Sequence, residues 1–281
     1  MRNDGVKRRD ALTRSVRAFF HERDYVEVET PIRLKIPCME LHIDAEASGD
    51  HFLRTSPEMF HKRLLAAGHE RIFELAKCFR SGERGPLHNP EYTMLEWYAA
   101  NADYMDVLEL TKALIASVWC DGPSDWKILA VSAAFMEFAG WDPAGNYDED
   151  RFDVDLVEKV EPALKAIGGA VVLKDYPIEA AALSRPKPGE PLLAERWELY
   201  IDGVELANAY SELTDPDEQR RRFVNCAAER AAMGKAVYPI DEAFIQAVRE
   251  MPPAAGVALG VDRLLMLMLG ESSLDPVLPF R

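Results

Sequence analysis

Hydrophobic and polar positions follow a helical period near the N-terminus and a strand period directly after it. An apolar stripe runs along residues 7–23 and consists of Leu12, Val16, Phe19 and Phe20. Such a stripe predicts an amphipathic helix. Residues 25–29 then alternate in polarity before Pro31, and alternation predicts a short strand. The chain therefore opens with a predicted helix and strand.

Two further apolar runs flank a glycine-containing loop. Residues 71–79 are rich in Ile, Phe and Leu, and Arg80 follows them. The chain returns through a second run whose alternate positions are Tyr92, Met94, Glu96 and Tyr98. Alternate side chains of a strand share one face, so this face carries two phenols and a carboxylate. With Arg80 and His88 nearby, the hairpin can offer cations to phosphates, a ring to a base and an acid to an ammonium group.

Capping residues and periodicity predict the remaining elements. Predicted helices cover residues 56–67, 103–119, 131–140, 153–167 and 215–233. The first of these begins with Ser-Pro-Glu, which supplies an N-cap, a first-turn proline and a first-turn acid. A strand is predicted over residues 170–174. Residues 184–191, with three prolines and one glycine, predict a loop that either covers a site or is a plain connector.

A β-hairpin is predicted in the stretch RWELYIDGVELANAYSEL. Asp202-Gly203 is the strongest short hairpin signal, and a two-residue turn there pairs Tyr200 with Glu205. This register places Glu198 and Glu205 diagonally on one face, close enough to share a cation. Two carboxylates so placed suit Mg²⁺ bound to nucleotide phosphates.

The polar residues that follow this pair need an irregular strand to reach the same face. By strict alternation, Asn208, Tyr210 and Glu212 point away from Glu205. If all of them serve one site, a β-bulge must intervene between Leu206 and Tyr210.

Composition is typical of a globular protein of the cytoplasm. The chain has 281 residues, 48% of them hydrophobic, which suffices for a full core. Four cysteines are scattered without C-x-x-C pairing, which suits reduced thiols rather than a disulfide framework or a zinc site. The N-terminus lacks the apolar segment of a signal peptide, and Asp262 and Arg263 interrupt the most apolar C-terminal run, so no membrane span is predicted.

The net charge of −15 disfavours sequence-independent binding to a nucleic-acid backbone, which needs a lysine and arginine footprint. A local basic patch remains at the start of the chain and consists of Lys7, Arg8, Arg9, Arg14 and Arg17. This patch is either a solvated helix face or a surface for tRNA.

Two strings carry a family resemblance. The stretch FRSGERGPLHNPEYTMLEWY at 79–98 resembles motif 2 of class II aminoacyl-tRNA synthetases, and GVALGVDRLLML at 256–267 resembles motif 3. HNPEYTMLEWY narrows the match to the lysyl branch. Within that branch the chain is similar to truncated lysyl-tRNA synthetase paralogues, the elongation factor P (R)-β-lysine ligases. The first helix and strand resemble motif 1.

The resemblance implies an α+β fold, the class II aminoacyl-tRNA synthetase catalytic fold, with an antiparallel β-sheet flanked by helices. It implies a single catalytic domain over residues 1–281, without the N-terminal OB-fold that binds the anticodon in lysyl-tRNA synthetases. A homodimer built through motif 1 is implied as well. The implied cofactors are ATP and Mg²⁺.

Site residues follow from the resemblance position by position. The implied catalytic residues are Arg80, on the α-phosphate, and Arg263, on one face of adenine. The implied ATP-binding residues are Arg80, Glu83, His88, Asn89, Tyr92, Glu205, Leu206, Gly260 and Arg263. The implied substrate-binding residues are Ser56, Glu58, Glu96, Tyr98, Asn208, Tyr210, Glu212 and Ala258. Glu198 and Glu205 are implied to hold Mg²⁺.

Three positions depart from the family pattern. Gly82 stands where motif 2 has a glutamate, and the acid is Glu83 instead, so the contact of that glutamate must be shifted or lost. Ala209 replaces the glycine of the lysyl family, which would suit a bulge best. Ala258 occupies a position at which lysyl-tRNA synthetases carry glycine and β-lysine ligases carry alanine. Its methyl group narrows the pocket and disfavours an α-amino substrate.

The predicted function is ATP-dependent activation of (R)-β-lysine or lysine as an adenylate, followed by transfer to a lysine side chain of elongation factor P. The sequence contains no G-x-S-x-G, P-loop or H-E-x-x-H motif, which disfavours the commoner hydrolases, NTPases and metalloproteases. Two alternatives remain open: a lysine-activating enzyme that charges tRNA or another carrier, and a non-catalytic regulatory paralogue. A tRNA partner is disfavoured by the charge.

Overall fold

The structure is a computed structural model that describes residues 3–181 and 183–280. These residues divide into two compact units. The first unit comprises the chain up to Ala100, Thr214–Pro252 and the chain from Gly260 onward. The second unit comprises Asn101–Leu213 and Pro253–Leu259.

The elements are numbered in chain order. The helices are α1 (Asn3–His21), α2 (Glu58–Ala66), α3 (Tyr104–Val118), α4 (Val131–Phe138), α5 (Glu149–Asp155), α6 (Glu161–Ile167), α7 (Pro216–Ala232), α8 (Glu242–Glu250) and α9 (Val261–Met268). The strands are β1 (Val26–Glu27), β2 (Arg33–Leu34), β3 (Ala47–Ser48), β4 (His51–Leu53), β5 (Arg71–Phe79), β6 (Glu91–Ala100), β7 (Trp126–Ala130), β8 (Ala170–Pro177), β9 (Pro186–Lys187), β10 (Glu190–Ile201), β11 (Val204–Ser211) and β12 (Ala254–Gly260).

The first unit is organised around the long antiparallel pair β5 and β6, with β1 parallel to β5. The apolar stripe of α1 packs on these strands, because the Phe20 ring stacks on Phe73 and contacts Trp97. Both α2 and α9 also pack on β6. Strands β2, β3 and β4 form a separate small antiparallel sheet. The pair β5 and β6 is therefore the scaffold of the motif 2 residues.

The second unit contains antiparallel strands β8, β10, β11 and β12, with β7 parallel to β8. Its core lies between these strands and α4 to α6, where Phe135 stacks on Phe152 and Trp141 meets Phe135 edge-on. Residues Leu156–Val160, between α5 and α6, form a π-helical turn. Helices and mostly antiparallel strands together make the α+β class that was predicted.

Most predicted elements are confirmed, with small shifts at their ends. Asp103 caps α3 through a capping box with Asp106, and Asp215 caps α7. The loop predicted over 184–191 is wrong in part, because β9 lies inside it and pairs with β10, which begins at Glu190. The prolines permit this because β9 is only two residues long and pairs on one side. No helix in the described part of the chain is long and apolar enough to cross a membrane.

Candidate active site

Glu96 is the centre of a hydrogen-bonded pocket in the first unit. Its side chain is only 1% exposed, and it lies on β6. The Ser56 hydroxyl donates to Glu96 Oε1 at 2.6 Å, and the Tyr98 hydroxyl donates to Glu96 Oε2 at 3.1 Å. The Ser56 oxygen also accepts the backbone N–H of Glu58 at 3.0 Å. The structure thus places two predicted substrate-binding residues, Ser56 and Tyr98, on the buried Glu96 carboxylate, with the backbone of Glu58 next to Ser56. Such a carboxylate is suited to an ammonium group.

Glu58 already has a cationic partner within the protein. The ammonium group of Lys62, one turn later on α2, lies 2.6 Å from Glu58 Oε1, and the Lys62 side chain is fully buried. A buried ammonium needs such a carboxylate, because an unpaired charge away from water costs several kcal/mol. Glu58 therefore neutralises a buried lysine, in addition to any role towards a substrate amino group.

Glu40 is an acid near this pocket that sequence reasoning missed. The Thr55 hydroxyl lies 3.5 Å from Glu40 Oε1. Burial, together with the neighbouring charges of Glu58 and Glu96, raises the pKa of Glu40 to about 7, and Arg80 opposes this rise. Nothing in the sequence marked Glu40, because it lies in an irregular segment between β2 and β3.

The segment that carries Glu40 is held by a buried arginine. Arg230 on α7 is fully buried. Its guanidinium donates to the backbone carbonyls of Glu40 at 2.6 Å and Ile43 at 3.0 Å, and it pairs with the Asp44 carboxylate at 2.6 Å. Arginine can hold several carbonyls at once because its donors are fixed in a plane. The position of Glu40 is thus set by contacts outside the pocket.

We expect Glu40→Gln to make the pH dependence of stability flatter. The folded protein keeps a proton on Glu40 that the unfolded chain loses near its ordinary pKa of 4.5, since the folded pKa is about 7. Stability from this group is therefore complete below pH 4.5 and declines as the pH rises towards 7. Above that pH the variant should be more stable by up to about 3 kcal/mol.

Chemical denaturation at pH 5 and pH 8 measures this difference. Glu46→Gln, at an exposed position in the same segment, is the matched control and should change nothing. An equal effect of Glu40→Gln at both pH values would contradict the assignment.

Arg80 and Tyr92 contact each other in the motif 2 hairpin. The Arg80 guanidinium carbon lies 5.3 Å from the centre of the Tyr92 ring, a cation–π distance. The Tyr92 hydroxyl donates to the Thr55 carbonyl at 2.8 Å, which fixes the ring. Glu83 lies 3.8 Å from Arg80 Nη1. The acid that follows the glycine thus retains a contact with the motif 2 arginine.

Gly82 makes this shifted contact possible. Its φ of +77° lies in the left-handed region, which glycine adopts without strain and other residues rarely adopt. The chain turns at this point, and the next residue, Glu83, approaches Arg80. The shift of the motif 2 acid by one position is therefore accompanied by a backbone conformation that a glutamate at position 82 would adopt only with strain.

Arg263 and His88 form a second group of donors in the first unit. The Arg263 guanidinium donates to His88 Nε2 at 2.8 Å and to the Leu87 carbonyl at 3.2 Å. Because Nε2 accepts a hydrogen bond, the ring proton of a neutral His88 resides on Nδ1. Burial and the Arg263 charge lower the pKa of His88, which favours this neutral form. His88 can therefore offer one N–H donor beside a permanent cation.

The start of α9 is anchored beside this group. Gly260 is its N-cap, and the buried Asp262 accepts the backbone N–H of Thr93 at 2.8 Å and pairs with Arg9. These contacts fix α9 on β6, the strand that follows the motif 2 loop. In that loop the Asn89 amide donates to the Glu91 carbonyl at 2.6 Å.

The basic patch predicted on α1 is largely paired. Arg9 pairs with Asp262, Arg14 with Asp10 at 2.6 Å, and Arg17 with Glu27 at 2.9 Å. Three of its five cations are therefore compensated by nearby carboxylates, which weakens the case for a nucleic-acid surface there.

The predicted β-bulge is present in the second unit. Tyr200 pairs with Glu205 as the Asp-Gly turn predicts, but Leu199 pairs with Ala207, so Leu206 is an extra residue. Asp202 and Gly203 both have positive φ, as a type I′ turn requires. The bulge reverses the alternation after Glu205.

The bulge aligns the predicted polar residues across the strands. Glu198 lies opposite Asn208, and Asn208 lies opposite Ala258. Directly opposed residues of an antiparallel pair share one face, so these three form a row over β10, β11 and β12. Tyr210 falls on the same face and its hydroxyl lies 3.1 Å from the Asn208 amide nitrogen. Glu212, just after β11, is fully buried.

Glu198 is held by three donors, none of which was predicted. The hydroxyls of Tyr176 and Tyr200 each lie 2.7 Å from Glu198 Oε2, and the Arg196 guanidinium lies 2.5 Å from Oε1. Alternation along β10 could have indicated Arg196, which shares a face with Glu198. A carboxylate offers about four lone-pair sites, so one remains for a metal. The oxygen donor set of Glu198 and Glu205 suits Mg²⁺.

The predicted site residues thus fall into two groups, one in each unit. The first unit contains Ser56, Glu58, Arg80, Glu83, His88, Asn89, Tyr92, Glu96, Tyr98, Gly260 and Arg263. The second unit contains Glu198, Glu205, Leu206, Asn208, Tyr210, Glu212 and Ala258.

Comparisons with known proteins identify the family of this chain. The family model for class II tRNA synthetases (D, K and N) matches residues 2–281. An elongation factor P–(R)-β-lysine ligase of Vibrio cholerae is 37% identical over 98% of this chain and 94% of its own length. That of Erwinia tasmaniensis is 37% identical over 97% of this chain and 93% of its own length. A lysine–tRNA ligase of Pseudomonas putida is 33% identical over 97% of this chain, which spans 62% of that protein. The chain therefore belongs to the class II tRNA synthetases of the D, K and N group and, within them, to the family of the elongation factor P–(R)-β-lysine ligases.

Proposed function

We propose that this protein is an ATP-dependent ligase that activates (R)-β-lysine or lysine and transfers it to a lysine side chain of elongation factor P. The observation that carries the proposal is the buried Glu96 pocket, because Glu96 lies on the same strand as Tyr92, whose ring contacts the Arg80 guanidinium. An acid in a buried pocket selects an amine, and the arginine binds a phosphate. The names of the similar ligases supply the acceptor.

The chemistry needs no protein nucleophile. A substrate carboxylate oxygen attacks the α-phosphorus of ATP, the bond to the bridging oxygen breaks, and pyrophosphate leaves. The acceptor amine then attacks the carbonyl of the adenylate, loses a proton, and expels AMP. Both steps depend on positioning and on neutralising developing charge. Arg80 would stabilise the charge on the α-phosphate, while His88 and Arg263 would bind the remaining phosphates and adenine.

We assign substrate recognition to the acids and amides that the family resemblance names. Glu96, with Ser56 and Tyr98, would bind the terminal ammonium group. Asn208 would orient the reacting carboxylate, with Glu58 and Glu212 contributing negative charge around the two amino groups. Glu198 and Glu205 would hold Mg²⁺, which supplies charge neutralisation for the phosphates when it is bound.

We also propose one catalytic domain over residues 1–281, a homodimer and a cytoplasmic location.

Ala258→Gly should shift preference towards α-lysine. Ala258 lies in the row with Asn208, so its methyl group projects on the face that would orient the substrate carboxylate. Loss of one methyl group changes discrimination by about 1–3 kcal/mol, or roughly 10- to 200-fold. The ratio of kcat/KM for lysine over (R)-β-lysine measures this change. Ala255→Gly, in the same strand but paired with Ser211, serves as the control. An unchanged ratio in Ala258→Gly would remove Ala258 from substrate selection.

ATP–pyrophosphate exchange tests the proposed function most simply. Exchange should depend on (R)-β-lysine or lysine. It should be absent with analogues whose side chain is as short as that of ornithine and with analogues that lack the terminal ammonium group, because Glu96 requires an ammonium group at the correct distance. The 33% identity to a lysine–tRNA ligase makes tRNA charging the second candidate. Efficient charging of tRNA without transfer to elongation factor P would favour that candidate. Absence of exchange with every lysine analogue would favour a non-catalytic binding protein.

A further inference from the structure

A buried histidine lies between two carboxylates of the first unit. His61 is on α2, and its side chain is fully buried. Its Nε2 lies 3.0 Å from Glu74 Oε2, and its Nδ1 lies 3.4 Å from Glu96 Oε2. Nε2 is in hydrogen-bonding geometry with Glu74, whereas Nδ1 is at ion-pair distance from Glu96 without a formed hydrogen bond. The attraction to Glu96 therefore requires the charged imidazolium, in which both ring nitrogens carry a proton. The ring also meets Tyr98 edge-on.

The two carboxylates differ in their other partners. Glu74 on β5 pairs with Arg54 at 2.8 Å and accepts the Thr30 hydroxyl at 2.8 Å, so its charge is compensated without His61. Glu96 on β6 accepts the neutral hydroxyls of Ser56 and Tyr98. Among the described residues, His61 is the cation within ion-pair distance of Glu96.

Other charges around α2 are paired elsewhere. Lys62 pairs with Glu58 on the same helix, and Arg63 pairs with Asp241, the N-cap of α8. Two further titratable groups near Glu96 are the Glu40 carboxyl and the Cys78 thiol. Burial raises the pKa of both. Glu74 has Arg54 as a second cationic partner, so Glu96 is the partner of His61 whose charge a substrate ammonium group would compensate.

We propose that His61 is a positioning residue of the ammonium pocket. As an imidazolium it holds the Glu96 carboxylate before substrate binds, and it gives up its Nδ1 proton when a substrate ammonium becomes the cation on Glu96. The Nδ1–H bond breaks, its electron pair stays on nitrogen, and the proton passes to solvent, while Nε2–H continues to donate to Glu74. This inference rests on the proposed function, because it requires a substrate with a terminal ammonium group.

The electrostatics of His61 agree with this exchange. Burial lowers its pKa, but the interactions with Glu74 and Glu96 outweigh burial, and the pKa lies above the ordinary 6.5. A substrate ammonium group compensates the charge of Glu96. It therefore removes part of the electrostatic effect that raises the pKa of His61. Proton and substrate then compete, so substrate affinity must fall as the pH falls below the pKa of His61 in the substrate-free protein.

Titration calorimetry of the full chain with (R)-β-lysine and with L-lysine tests the exchange. The measurement is made in a Glu40→Gln background, because Glu40 also titrates near pH 7 and senses the charge on Glu96. At about one pH unit below the His61 pKa of the substrate-free protein, binding should release close to one proton, seen as a heat that varies with the ionisation enthalpy of the buffer. His61→Gln in the same background should release none. His69→Gln, an exposed histidine shortly after α2, is the matched control and should behave as the wild type. In exchange assays, the wild-type KM for the amino acid should rise about tenfold for each pH unit below the His61 pKa, and the KM of His61→Gln should stay level.

The outcomes separate this inference from the proposed function. If lysine binds with the same heat in every buffer, the inference is overturned and the proposed function stands. Proton release that persists in a folded variant carrying both Glu40→Gln and His61→Gln also overturns it. If neither amino acid binds the wild type, both proposals are overturned. Should His61→Gln fail to fold, the buffer dependence and KM profile of the wild type still decide.

Discussion

Arg80→Ala should reduce amino-acid-dependent ATP–pyrophosphate exchange by at least about 100- to 1,000-fold, the typical loss when one preorganised donor to developing charge is removed. Arg80 follows β5 directly and is held against the Tyr92 ring, so it is aligned before ATP binds. Arg80→Lys should recover little, because an ammonium group cannot donate in the planar, bidentate way of a guanidinium. The loss should appear mainly in kcat.

Arg84→Ala is the matched control for this experiment. Arg84 lies in the same loop and is exposed, and its removal should leave kcat within about twofold, as for most surface substitutions away from the reacting groups. Equal losses in the two variants would show that Arg80 acts through the fold of the loop and not through the α-phosphate.

Glu96→Gln should raise the KM for the amino acid by about two to four powers of ten, while the KM for ATP changes little. An ammonium group buried beside an amide instead of a carboxylate loses about 3–5 kcal/mol, as in other broken buried ion pairs. The change is nearly isosteric, so Ser56 and Tyr98 keep a partner of similar shape. A selective effect on one substrate is the signature of a binding residue.

The control for Glu96→Gln lies at the start of the same strand. Glu91 is exposed and pairs with Lys77 at 3.3 Å, and Glu91→Gln should leave both KM values unchanged. If Glu96→Gln raised both KM values equally, the carboxylate would have to be assigned to the stability of β6 rather than to the ammonium group.

The hairpin of β10 and β11 shows what could be predicted from the sequence. Its turn was predictable because Asp-Gly favours the positive φ values that a type I′ turn needs. The alternation of side chains along the strand showed that a bulge was needed if all the polar residues serve one site. It did not show the position of the bulge, because nothing in the sequence distinguishes Leu206 as the extra residue. The glycine that the family uses nearby proved unnecessary, since the bulge lies before Asn208.

The pocket around Glu96 shows what could not be predicted from the sequence. Glu96, Tyr98 and Ser56 could be named from motif resemblance. His61 and Arg230 could not, because each lies on a helix far along the chain from its partners, and spacing along a helix does not reveal which strand or loop it meets. Tertiary contacts between distant segments are what the sequence pattern leaves open.

The most direct test of the whole account is the mass of elongation factor P after incubation with this protein, ATP, Mg²⁺ and (R)-β-lysine. We predict that one lysine side chain gains a single β-lysyl group, that AMP is released in equal amount, and that Arg80→Ala forms no adduct. An unmodified factor in an assay where the protein forms the adenylate would contradict the proposed acceptor, and an unmodified factor without adenylate would contradict the proposed chemistry.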